Sequence, residues 1–328
     1  MTVTPVIPDL YQLVIPTPFP VGPVNIYLAA GPDAPLTLID TGPRTEQARS
    51  ALESGLATLG YRLSDIGRVI VTHTHTDHYG LAGDIVQVSG ASVYSHPHNR
   101  PMLEDYTVER ERQRAFYAEL LLEAGVPSDV QATLAHMFRG YRDFETELSS
   151  VNALDEGDQI ALGRLQWQVL FMPGHSGGLI CLYQPDTRIF LSNDHLLLDI
   201  SSNPLFEPPS PGQTQRRRSL VDYVRSLERT AAMDITVAWP GHGEPISDHR
   251  ALIQGRLAFH RRRADRILDV LQNGAQTVYG LSQAIFGELS ALDCFLAASE
   301  ILAHLEWLED QGAVTSQRQD GLVLWLKT

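Results

Sequence analysis

The spacing of apolar residues changes several times along the chain, and each change marks an element. From residue 11 to 40, short apolar stretches alternate with turn residues. This predicts strands over 12–15, 24–30 and 36–39. Pro16, Pro18, Pro20 and Pro23 exclude a helix between the first two. Over 45–59, Ala and Leu recur at helical spacing until Gly60 ends the run. A β-branched run at 68–72 reads as a buried strand, followed by a short helix at 83–88 and a strand at 92–95. Strand patterns resume at 159–162, 165–172, 179–184, 188–191 and 235–238. A proline-rich loop at 204–211 and a helix at 220–232 come before the last of these.

Two regions depart from this alternation. Residues 99–150 are charged and helical, over 108–123 and 130–141, with Gly125, Val126 and Pro127 as a break. Beyond residue 264 the pattern is helices at 264–271, 281–285 and 297–311. Paired strands at 313–316 and 322–326 follow, around Gln319, Asp320 and Gly321. That order suggests a small winged-helix module. The expected division is a large domain over 1–263, carrying the 99–150 insertion as a helical lid, and a small domain over 264–328.

Composition narrows the picture. Apolar residues make up 43% and charged residues 20% of the 328, an ordinary globular balance. The net charge of −14 speaks against nucleic acid and anionic membranes as partners. Lys327 is the single lysine, and arginine supplies the other cations. Cys181 and Cys294 lie far apart and suggest no disulfide framework, so a reducing cytoplasm is expected. The first ten residues lack the basic start and apolar run of a signal sequence. No apolar run reaches the roughly 20 residues needed to span a bilayer.

The strongest chemical signal is the run from Thr72 to Gly80, which holds His73, His75, Asp77 and His78 directly after a predicted strand. A strand would alternate these side chains between its faces, whereas a loop leaving a strand can converge them. Imidazole and carboxylate are the donors that Zn²⁺ and similar cations take. Three more candidates recur after strands in turns rich in Gly, Ser or Pro: His175 after Gly174, Asp194 after Asn193, and His242 between Gly241 and Gly243.

With these residues in place, the chain resembles the metallo-β-lactamase-fold hydrolase superfamily, its hydroxyacylglutathione hydrolase (glyoxalase II) branch included. The resemblance spans about residues 10–250. It implies an α/β fold, an αββα sandwich with metals at one sheet edge. It implies that His73, His75 and His175 hold one ion, that Asp77, His78 and His242 hold a second, and that Asp194 bridges them. Asp40, in the run Asp40-Thr41-Gly42, resembles a residue that orients a ligand.

Two cations, zinc in the first instance with iron or manganese as alternatives, can share a water and lower its pKa toward neutrality. The expected activity is hydrolysis of a small ester, thioester or lactone by metal-bound hydroxide, with Asp77 also able to accept a proton. Alternatives within the fold are a phosphodiesterase or endoribonuclease, and an iron-dependent enzyme like persulfide dioxygenases. A winged-helix regulator with a degenerate sensor domain is a non-enzymatic alternative, but no ligand is missing.

The insertion carries Arg110, Arg112, Arg114, Arg139 and Arg142 among Tyr106, Phe116, Tyr117, Leu121, Phe138 and Tyr141. These suggest a lid whose arginines hold an anionic substrate group. The arginine runs at 216–218 and 261–263 read as solvated helix ends. The tail's predicted last helix has Glu300, Glu306, Glu309 and Asp310 and no basic residue, so it would be repelled by phosphates. A packing role for the tail, or a homodimer formed through it, fits better. His195 reads as structural, and His96 and His98 as solvated turn residues.

Overall fold

The computed structural model describes residues 2–202 and 204–328, with the backbone alone for 141 and 142. A seven-stranded sheet runs in chain order through β1 (Val3–Ile7), β2 (Leu10–Ile15), β3 (Val24–Ala29), β4 (Thr37–Ile39), β5 (Arg68–Val71), β6 (Ser92–Ser95) and β7 (Asn152–Ala153). A five-stranded sheet is formed by β8 (Gln159–Leu162), β9 (Leu165–Phe171), β10 (Ile180–Gln184), β11 (Ile189–Asn193) and β12 (Val237–Pro240), ordered β12-β11-β10-β9-β8. Pairing is parallel from β4 to β7 and between β11 and β12, and antiparallel elsewhere in these sheets.

Side-chain alternation stacks the sheets. Tyr27, Ala29, Ile39 and Ile70 of the first meet Trp167, Val169, Ile180, Leu182 and Leu191 of the second. The alternate residues point outward. Ile26, Leu28, Val69 and Val71 pack under α1 (Glu46–Thr58) and α3 (Ala82–Ser89), which supply Leu52, Leu56 and Ile85. On the other side, Cys181 and Phe190 pack under α7 (Ser219–Ala232) and α8 (His249–Leu271), which supply Leu220, Leu227 and Ile253. Both faces of each sheet are therefore covered, which is why every residue of β3 is buried rather than every second one. A one-residue slip would exchange the two faces. Each fully buried Leu or Val contributes about 1.5–3 kcal/mol to holding the register. This is the expected αββα sandwich.

Between α1 and α3 lies the one-turn helix α2 (Thr76–Tyr79). The insertion forms α4 (Arg100–Glu104), α5 (Tyr106–Glu123) and α6 (Ser128–Gly140). The tail adds α9 (Val278–Phe286), α10 (Ala291–Asp310) and the hairpin β13 (Val314–Gln319) with β14 (Leu322–Lys327). Helix α8 runs through position 263, where the domain boundary was expected. Insertion and tail share one apolar core, in which Leu121, Val126 and Leu134 meet Ile267, Leu281, Phe295 and Ile301.

Strand β1 and the first half of α8 escape the sequence pattern. Pro5 breaks the apparent strand, yet β1 is an edge strand and tolerates it. Gly255 and the arginine-rich surface of α8 blur its periodicity, but Asp248 caps its start by accepting from Ala251 N–H at 3.0 Å.

Candidate metal centre

Every candidate donor stands just past the end of a strand. Asp40 follows β4, His73 and His75 follow β5, His175 follows β9, Asp194 follows β11 and His242 follows β12. In the ladders β4–β5 and β11–β12 the strands run parallel, so their C-terminal ends share one edge. Helix α2 then turns Asp77 and His78 back toward the same place. Gly241 is required here, because a Cβ would lie 2.2 Å from Asp194 Oδ1.

Three overlapping groups of potential ligands result, one of them Asp40, His73 and His78. His73, His75, His175 and Asp194 offer ligand atoms that all lie within 4.8 Å of one another, and Asp77, His78 and His242 form a second such group. His75 Nδ1 lies 3.1 Å from His73 Nε2 and 2.8 Å from His175 Nε2. Asp194 reaches both groups. Its Oδ2 is 3.4 Å from His175 Nε2, and its Oδ1 is 3.4 Å from His78 Nε2. His242 Nε2 lies 3.3 Å from Asp77 Oδ2 and 3.7 Å from Asp194 Oδ2. All seven expected donors are thus brought together.

The surrounding hydrogen bonds aim these atoms. Asp40 is fully buried and accepts from Thr72 N–H at 2.8 Å and from Thr72 Oγ1–H at 2.7 Å. Its Oδ2 also lies 2.8 Å from His78 Nδ1, leaving His78 Nε2 to face the cluster. Asp40 therefore orients His78, the part the resemblance implied for it. His242 Nδ1 is likewise held, 2.8 Å from the Pro23 carbonyl. His78 Nε2, His242 Nε2 and Asp194 Oδ1 are buried without a hydrogen-bond partner. Three orphaned atoms of ligating type facing one space fit a cation.

Electrostatics agree. Burial, reinforced by neighbouring imidazoles, pushes His73 well below the usual histidine value and His75 down to about 4, so both are neutral donors. Burial would raise the carboxyls of Asp77 and Asp194, but His78 and His242 outweigh it and hold both below the usual range. Burial would likewise lower His78 and His242, yet the facing carboxylates, Asp194 foremost, raise both. Those carboxylates attract a proton onto each imidazole, and a divalent cation would replace it.

Residues 19–242 match the family model described as the metallo-beta-lactamase superfamily. The chain belongs to that superfamily. It is a metal-dependent hydrolase. Over 323 residues it is 38% identical to the probable metallo-hydrolase YqjP of Bacillus subtilis, covering 98% of each chain. The crystal structure of the metallo-beta-lactamase family protein TTHA1429 from Thermus thermophilus superposes with a TM-score of 0.84 at 30% identity, over 99% of this chain and 100% of that one. The atrochrysone carboxyl ACP thioesterase of Aspergillus fumigatus is 25% identical over 154 residues, 43% of this chain and 45% of its own.

Around this superfamily centre, several residues differ from expectation. His195 is structural as expected, buried with Nε2 2.8 Å from Thr230 Oγ1. His96 and His98 are not solvated turn residues. His96 stacks on Phe171 at 4.0 Å, and His98 Nε2 lies 3.2 Å from Glu207 Oε2. Arg110 is bound by the buried carboxylate of Glu145, which also accepts from Thr76 of α2. Phe116, Tyr117 and Phe138 pack with Phe206 and Phe295. The side chains of Tyr141 and Arg142 lie outside the described residues. The arginine runs are docked in part: Arg217, Arg261 and Arg262 are exposed, as expected, while the other three are not free. Arg216 pairs with Glu306, Arg218 with Glu309 at 2.6 Å, and Arg263 with Glu300 at 2.7 Å.

Sequence reasoning missed Asn25, Tyr27, Asn99 and Glu207. Asn25 Nδ2 and Tyr27 Oη donate to the Pro240 carbonyl at 3.1 and 2.6 Å, steadying the His242 turn. Asn99 Nδ2 donates to the Gly178 carbonyl at 2.9 Å, steadying the His175 turn. A usable signal existed for Asn25: a polar residue inside an all-buried strand must find a partner.

Proposed function

We propose that the two donor groups bind two divalent cations, zinc by the chemistry of the donors, and that the enzyme hydrolyses a small ester, thioester or lactone. The observation that carries this reading is Asp194, one carboxylate placed between a three-histidine group and an Asp77–His78–His242 group. His73, His75 and His175 would hold one ion, Asp77, His78 and His242 the other, and Asp194 both. Such ions, when bound, acidify a water and polarise the carbonyl to be attacked. The chain's own residues do the rest. Asp40 keeps His78 turned inward, and the Pro23 carbonyl does the same for His242. Asp77 is held ionised and can accept a proton at its carboxylate. The thioesterase relative supports an acyl substrate.

In this reading residues 1–263 form the catalytic unit and 264–328 a winged-helix-like support for the insertion. The shared insertion–tail core favours the supporting role, although α8 runs unbroken across residue 263. Two unpaired, buried cysteines favour a cytoplasmic setting. The arginine runs give a nuclease reading little support, since α10 matches the charges of Arg216, Arg218 and Arg263.

The test is a panel of thioesters, esters, lactones, phosphodiesters and single-stranded RNA, run on purified protein before and after chelation. The expected result is turnover of an acyl substrate, lost on chelation and restored by zinc. Turnover of RNA alone, or activity that survives exhaustive chelation, would overturn it. Iron at one per chain with oxygen consumption would instead mark an oxygen-using enzyme.

A further inference from the structure

A pocket of about 40 Å³ is lined among others by Thr74, His98, Glu109, Arg112, Gln113 and Glu207. Thr74 belongs to the loop that carries His73 and His75, and Glu207 is bonded to the turn that carries His175. Glu207 comes from the proline-rich 204–211 loop. Its Oε1 and Oε2 accept the Gly177 N–H at 3.1 and 3.0 Å, two residues past His175. Its Oε2 also meets His98 Nε2, while Ser210 Oγ lies 3.1 Å from His98 Nδ1, so the imidazole is held at both ends. A Cβ at position 177 would lie 2.6 Å from Glu207 Oε2, so glycine is what lets the carboxylate approach. The Glu207 side chain keeps 23% exposure.

The one arginine lining this pocket is already occupied. Glu109 grips Arg112 at both oxygens, 2.8 and 2.6 Å, and Arg112 also donates to the Pro209 carbonyl. Arg110, two residues earlier on α5, is taken by Glu145. Two carboxylates and one guanidinium therefore line the pocket, and among the described residues Glu207 is held by the His98 imidazole and the Gly177 N–H.

Resting on the acyl-hydrolase reading above for the position of the scissile bond, we propose that this pocket selects substrate by charge, accepting an end that carries an ammonium group and rejecting one that ends in carboxylate or phosphate. This reverses the expectation of arginines that hold an anionic group. An ammonium donates to Glu207 where water otherwise would. A carboxylate meets a like charge in a half-buried setting with no free guanidinium to offset it.

The test uses three uncleavable thioethers of equal length ending in ammonium, methyl or carboxylate, titrated calorimetrically into the metal-loaded protein. The ammonium compound is expected to bind at least about tenfold more tightly than the carboxylate compound. Glu207→Gln should bring that ratio within about threefold. Glu109→Gln, which frees Arg112, should strengthen binding of the carboxylate compound. Turnover of the matching thioesters is read separately, so the charge order with no turnover supports the pocket and counts only against the acyl reading. Binding of the carboxylate compound as tightly as the ammonium one, or a ratio unmoved in both variants, would overturn the proposal.

Discussion

The metal centre and the junction between tail and sandwich are built from the same kinds of residue, yet they settle their charges in opposite ways. At the junction each cation touches an anion: Arg216 meets Glu306, Arg218 meets Glu309, and Arg263 meets Glu300 while its guanidinium lies 4.4 Å over the Phe286 ring. At the centre, imidazoles face imidazoles, and His78 Nε2, His242 Nε2 and Asp194 Oδ1 are buried without a hydrogen-bond partner. At the junction opposite charges pair within the protein, whereas the centre gathers ligating atoms that a cation would satisfy. Matched charge marks what holds the fold, and converging unmatched donors mark what works.

The largest effect should come from removing a donor that serves both groups. Asp194→Ala is expected to lower kcat/KM by at least about 10³-fold, since several kcal/mol of transition-state stabilisation go with the ions. Thermal stability of the metal-free protein should change little by comparison, and steady-state kinetics with a melting curve checks both. Next is Asp40→Asn, which leaves the donors in place but loosens His78. Metal affinity or activity should fall about 10–100-fold, read by competition with a chromogenic chelator.

The junction should respond in the opposite sense. Arg263→Ala leaves Glu300, whose carboxyl burial already raises, without its cation. A loss of about 1–3 kcal/mol in unfolding free energy is expected with kcat unchanged, by urea titration and assay on the same preparation. If kcat falls as far as stability, the two regions are not separable as described.

A smaller effect should appear with pH. His260 and His304 lie between α8 and α10, His260 Nδ1 3.1 Å from His304 Nε2. Burial, with nearby arginines for His260 and the His260 ring for His304, pushes them down to about 4 and about 3. The unfolded imidazoles titrate near the ordinary value of 6.5. The unfolded chain therefore takes up protons first as pH falls. This contribution to stability is full above about 6.5 and is lost progressively toward pH 4. His260→Asn should flatten the fall in Tm between pH 7 and pH 5 by roughly 2–4 °C. The smallest effect belongs to the exposed Arg114–Glu111 pair, where Arg114→Ala should cost less than about 0.5 kcal/mol.

The centre was far more legible in the sequence than the junction. All seven donors stand out because imidazole and carboxylate in glycine-rich turns after strands have few other uses. Their meeting followed from topology, since the strands that carry them end on one edge. Glu207 was hidden because a lone glutamate in a proline-rich loop carries no periodicity, and its importance lies in a contact 30 residues away at Gly177. Arg216, Arg218 and Arg263 looked solvated because their partners, Glu306, Glu309 and Glu300, are distant in sequence. Charge matching across such a gap is a tertiary fact. The aromatic face of α5 misled for a related reason. An aromatic stripe beside a site looks like a substrate wall until the tail's Phe295 is found packed against it.

The central claim is that Asp194 stands between two cation sites. Metal per chain, measured by plasma mass spectrometry after loading with zinc and desalting, tests it most directly. The account predicts about two ions in the wild-type protein, about one in His242→Ala, and fewer than one in Asp194→Ala. One ion in the wild-type chain, unchanged by His242→Ala, would contradict it.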